Sequence, residues 1–110
     1  MQLIRGDTKM YRFQRKRADG AIITDTPDSL YFTVKRDYTK DEAVIQKKLD
    51  DMDMDEDGTW HFRIEPEDTD GLKYKTYVYD IQVTQDGVKT TIAKGDFTVE
   101  EEVTFAENEV

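Results

Sequence analysis

The sequence predicts an all-β protein: an antiparallel sandwich of about seven strands with one short helical turn. Three observations carry that prediction. Residues 72–83, Asp86-Gly87 and residues 88–94 read together as a β-hairpin. Several shorter segments alternate apolar and polar side chains with period two. Those segments are divided by Gly, Pro and Asp clusters, with no long helical pattern between them. Because each such sheet has one apolar face, it must bury that face against another sheet.

Taken in chain order, residues 8–17 alternate imperfectly around Met10, Tyr11 and Phe13, and Asp19-Gly20 supplies a turn before Ile22 and Ile23. Asp25-Thr26-Pro27-Asp28 breaks the chain again. Residues 29–36 form a clearer strand, with Leu30, Phe32 and Val34 on one face and Tyr31, Thr33 and Lys35 on the other. Residues 43–49 fit neither period, so a short strand and a helical turn both remain open. Residues 58–64 direct Trp60, Phe62 and Ile64 inward and His61 and Arg63 outward. After Glu65, Pro66 at a first helical position, acids behind it and Gly71 beyond its end predict a single helical turn.

The hairpin fixes a register. Asp86-Gly87 suits a two-residue type I′ loop, which needs two positive φ angles. Gln85 then faces Val88 and Ile81 faces Ile92, which puts Tyr77, Tyr79, Ile81 and Val83 on one face with Val88, Thr90 and Ile92. Phe97 and Val99 lie out of phase with Ile92, so a bulge at Gly95 is expected to return them to the core. The expected core includes Phe32, Val34, Trp60, Phe62, Ile64, Leu72, Tyr79, Ile81, Ile92 and Phe97. Tyr77 and Tyr79 are expected inside, their hydroxyls reaching backbone as in a tyrosine corner.

Composition bounds the rest. At 110 residues and 36% hydrophobic content, the chain suits one domain over residues 1–105, with an acidic flexible tail at 106–110. It has no apolar run long enough to span a bilayer and no start resembling a secretory signal, so it reads as soluble, with no membrane partner. The absence of cysteine excludes disulfides, thiolate catalysis and cysteine-held metals. A net charge of −9 argues against a nucleic-acid partner. The charge is uneven: Arg5, Lys9, Arg12, Arg15, Lys16 and Arg17 stand near the start against Asp7, and no Lys or Arg follows Lys94. Head-to-tail complementarity between copies and simple solvation of an edge strand both fit that distribution.

Local motifs offer little chemistry. Asp53-x-Asp55-x-Asp57-Gly58 opens like a calcium loop, but the twelfth position is Ile64, where a bidentate Glu is needed. No cofactor is therefore expected; calcium at Asp53, Asp55 and Asp57 is the alternative to a solvated acidic hairpin loop. Arg5-Gly6-Asp7 matches an adhesion tripeptide without the context of a presenting loop. His61 is the only histidine, and its alternation with Trp60 and Phe62 makes it a surface residue. The carboxylates are numerous and solvated, whereas acid–base catalysis needs one in a desolvated cleft. No enzyme is expected.

Arg5-Gly6-Asp7-Thr8, Phe32-Thr33-Val34-Lys35 followed by Val44-Ile45-Gln46-Lys47, and Thr69-x-x-Leu72 leading to Thr76-Tyr77-Val78-Tyr79-Asp80-Ile81-Gln82 form a wider pattern. It closes on Gly95-x-Phe97-Thr98-Val99 and Val103-Thr104. In this pattern the chain resembles small β-sandwich structural proteins of tailed phages and prophages, found in tails, necks and baseplates and similar to the amino-terminal module of upper baseplate proteins. A glycine usually stands where this chain has Lys75. The resemblance implies an immunoglobulin-like sandwich and a virion structural or assembly role, with other phage structural proteins and copies of itself as partners. It also implies assembly in the host cytoplasm and residence in the virion, and it transfers no catalytic residue. Interface contacts are expected at Arg12, Arg15, Arg17, Tyr31 and Tyr74, with Tyr38 a further exposed tyrosine. Two other classes remain open: a phage-encoded acidic inhibitor occupying a basic groove of a host protein, and a calcium- or carbohydrate-binding module.

Overall fold

The computed structural model describes residues 1–39 and 42–101. The chain builds two packed sheets from eight strands: β1 (Gln2–Ile4), β2 (Lys9–Gln14), β3 (Ser29–Lys35), β4 (Ala43–Lys48), β5 (Asp53–Met54), β6 (Thr59–Ile64), β7 (Lys75–Gln85) and β8 (Val88–Glu100). One sheet has the order β1-β8-β7-β3-β4 and the other β2-β6-β5. All pairings are antiparallel except β1 with β8. The arrangement is the immunoglobulin-like one, with β2, β5 and β6 forming the sheet that faces β3, β7 and β8. The ends assigned to the domain and to the acidic tail, at 105 and 106–110, lie outside the described residues.

Period-two patterning is realised most cleanly in β3 and β6. Leu30, Phe32 and Val34 are buried on one face of β3, and Trp60, Phe62 and Ile64 on one face of β6. These two rows meet at the centre of the sandwich, where the Phe32 and Phe62 rings lie 4.6 Å apart. Phe97 from β8 stands 6.2 Å from Phe32, and Tyr11 from β2 stands 5.8 Å from Phe62. Phe13 stacks on Trp60. Aromatic pairs at such separations add about 0.5–1.5 kcal/mol each beyond the area they bury.

The region 43–49, ambiguous by period, divides: β4 takes Ala43–Lys48 and a 3₁₀ turn takes Leu49–Asp51. The predicted helical turn is α1 (Pro66–Thr69). Its Asp68 carboxylate accepts the Glu65 N–H at 2.7 Å and pairs with Lys47 Nζ at 2.7 Å, which ties this corner to β4. Thr69 is wholly buried and its hydroxyl accepts the Gly6 N–H at 3.0 Å. The Arg5-Gly6-Asp7 tripeptide is thereby bound to the corner.

Beyond α1, Tyr77 is buried and its hydroxyl donates to the Lys73 carbonyl at 3.0 Å, the tyrosine corner anticipated at this place. Tyr77→Phe leaves that carbonyl short of a donor. It is expected to lower unfolding free energy by about 1 kcal/mol, read as a lower urea midpoint with an unchanged denaturant slope.

Two expectations need correction at the hairpin. The loop is as predicted, with φ of 52° at Asp86 and 80° at Gly87, and Gln85 does face Val88. The register then slips between Ile81 and Gln82: Gln82 faces Thr91 but Ile81 faces Ala93, so Ile92 is the extra residue. The bulge is at Ile92, not at Gly95, and it brings Phe97 and Val99 into the core phase. Ile92 itself is 38% exposed and is not a core residue. Gly95 serves space instead: a Cβ there would sit 3.2 Å from the Tyr79 ring. Leu72 and Tyr79 are half-buried against the core.

Candidate functional site

The inner face of the β7–β8 hairpin is not covered along its whole length. Val83 is buried, but nearer the turn Val88 is 64% exposed and Ile92 stands open beside it. Between these residues and the end of β2 lies an open groove of about 530 Å³. Gln14, Arg15 and Lys16 line one side, Val88, Thr90, Thr91 and Ile92 the other, and Ile23, Val83 and Gln85 complete it. The groove joins exposed aliphatic surface to a basic strand.

Local backbone pairing holds its shape. After β2 the chain forms a small hairpin through a bridge between Lys16 and Ile22, closed by Arg17 N–H to Ala21 C=O at 2.8 Å and Gly20 N–H to Arg17 C=O at 2.9 Å. Ile23 N–H donates to Arg15 C=O at 2.8 Å, which brings Ile23 to the groove.

Arg15 belongs to this framework. Its expected role as an exposed contact is not what the structure gives it, because it is only 7% exposed. Its guanidinium donates to the Asp25 carbonyl at 3.1 Å and to Gln85 Oε1 at 3.3 Å. Those bonds fasten the loop before β3 to the end of β7, and the side chain presents its stem to the groove.

The other expected contact residues are scattered. Arg12 is exposed on β2 opposite His61, and Arg17 is exposed in the hairpin turn. Tyr31 lies half-buried on the outer face of the larger sheet, beside Thr33, Lys35, Gln46 and Gln82 in a shallow hollow. Tyr74 is at the opposite corner, its ring 4.4 Å from the Arg5 guanidinium carbon. Tyr38 is exposed and its hydroxyl donates to the Gly95 carbonyl at 3.3 Å. No single patch unites the five. The groove residues Val88 and Ile92 were missed because a period-two pattern assigns an inward-facing residue to the core whether or not a second sheet reaches it.

The acidic segment makes the turn between β5 and β6. Asp53 faces His61, Asp55 Oδ1 lies 3.1 Å from His61 Nε2, and Asp57 Oδ1 accepts the Thr59 N–H at 3.0 Å. That last bond, with the Thr59 hydroxyl, holds the Asp57 carboxyl below the usual carboxylate range. The three aspartates serve different partners, and among the described residues no group of three or more acidic or histidine side chains is placed to hold a metal ion.

One titration follows from the packing. Tyr11 sits beneath the core aromatics with its hydroxyl donating to the Gln2 carbonyl at 2.9 Å. Burial, and secondarily the nearby Tyr79, raise its phenol from 10.0 to about 12. The fold therefore holds the neutral form: this contribution to stability is complete below pH 10 and is lost as pH rises through about 12. An alkaline absorbance titration is expected to show one tyrosine ionising late, and Tyr11→Phe to remove that step.

Among the described residues no helix is long and apolar enough to cross a membrane. No protein-family model matches the chain, nor does any curated protein or solved structure.

Proposed function

We propose that this chain is a virion structural or assembly protein of a tailed phage or prophage, a tail, neck or baseplate component acting through protein–protein contact. The observation that carries the reading is the open groove, where Val88 and Ile92 expose aliphatic surface beside Gln14 and Lys16. Apolar surface rimmed by polar groups suits a docking partner. The resemblance to phage sandwich proteins supports the same reading, since Phe32, Val34, Ile45 and Tyr77 in its pattern are core residues and leave the surface to partner choice.

Affinity capture with the tagged chain from phage-producing cells tests this. Recovery of tail, neck or baseplate proteins is the expected result; absence from purified particles together with no captured virion protein would defeat it. A second reading is favoured by the run of exposed acids Asp50, Asp51, Asp53, Asp55, Glu56 and Asp57. Such a ridge suits an inhibitor of a host protein with a basic groove. Capture of one host enzyme that is released as salt rises would select it.

A further inference from the structure

The outer edge of β8 is open for most of its length. β8 runs from Val88 to Glu100, yet β1 pairs with it only from Thr98 to Glu100, and among the described residues no strand pairs with that edge over residues 88–97. The Thr98 N–H donates to Met1 C=O, and Glu100 C=O accepts from the Arg5 N–H. Backbone groups of even-numbered residues thus face this edge, and the alternation continues to Asp96 and Lys94. The same edge borders the groove with Ile23, Val88 and Ile92. Backbone partners for a strand and a place for its alternate side chains stand together, as strand addition requires.

We propose that this edge and groove receive the acidic C-terminal segment of a second copy of the chain, residues 101–110, as an added strand. Three observations select that occupant. The segment carries Glu101, Glu102, Glu107 and Glu109 with no basic residue, whereas the rim carries Lys16, Lys89 and Lys94 and the neighbouring turn carries Arg17. Val103 and Phe105 alternate, so both reach one face of an extended strand. Residues 102–110 span about 30 Å when extended, about the length of β8 from Val88 to Asp96. The chain's own segment leaves β8 beside β1 and must reverse past that strand before reaching its own edge. A neighbour's edge meets it directly. Lys89, Lys94 and the bulge at Ile92 deter indiscriminate edge pairing while admitting an acidic strand. Such head-to-tail contact builds a ring or an open chain of copies.

This deepens the assembly reading and rests on it only for biological setting: failure of pure protein to self-associate removes the inference and leaves that reading to affinity capture. The test is sedimentation of the full chain over a wide concentration range, alone and as Phe105→Asp and Ile92→Asp variants. Wild type is expected to associate with concentration and less so at high salt, and each variant to weaken association by about tenfold or more. Mixing the variants should restore a capped pair, because Phe105→Asp keeps an intact edge and Ile92→Asp an intact tail. Hydrogen exchange at Lys94 and Asp96 should slow as wild type associates. A wild type that is monomeric at every concentration overturns the proposal, as does association indifferent to both variants or a mixture that fails to pair. Should Ile92→Asp fail to fold, Val88→Asp replaces it.

Discussion

Phe32→Ala is expected to lower the unfolding free energy by about 3–5 kcal/mol, the largest effect of any single truncation in this chain. Phe32 is fully buried and its ring touches both sheets: Phe62 lies 4.6 Å away across the sandwich, with Tyr79 at 5.8 Å and Phe97 at 6.2 Å. The neighbours are held by their own strands and cannot close the space, so the cost combines lost transfer energy with a residual cavity. Domains of this kind have about 5–15 kcal/mol in all. Urea unfolding followed by Trp60 fluorescence reads the change directly. A loss below about 1 kcal/mol would mean that Phe32 is not at the junction of the sheets.

Gly58→Ala is expected to cost about 2–4 kcal/mol, from two independent causes. The backbone there has φ of +88°, which side chains with a Cβ rarely adopt. The added Cβ would also lie 2.7 Å from Ile22 Cγ2 and 3.1 Å from the Ile23 carbonyl oxygen. The Ile22 methyl can move because that side chain is partly exposed, but the carbonyl belongs to backbone paired with Arg15. Gly20 has the same φ and no atom within 4 Å of the corresponding Cβ. Gly20→Ala therefore isolates the backbone cost, about 1–2 kcal/mol. A Gly58→Ala loss no larger than that of Gly20→Ala would show that the β5–β6 turn does not pack on the small hairpin after β2.

Much of the fold was legible because its signals are local. The alternation in β3 and β6, the Asp86-Gly87 loop, the Pro66 helical turn and the Tyr77 corner each depend on residues within a few positions of one another. β1 and β5 were not legible, since three and two residues are too few to display a period. β1 in addition pairs in parallel with the far end of the chain, a partner no local pattern can name. The candidate site was legible only in part: the basic character of β2 and the turn beyond it stands in the sequence, but the groove does not.

By itself the sequence determined the fold class, the interior faces of β3 and β6 and the geometry of the hairpin loop, because period, turn chemistry and burial there demand the same answer. It also determined the separation of basic start from acidic end. Tertiary structure alone decided that Ile92 is the bulge, that Arg15 is buried and that Val88 is left uncovered. Each depends on how far one sheet reaches over the other, and the overlap of two sheets is set by contacts between residues distant in the chain.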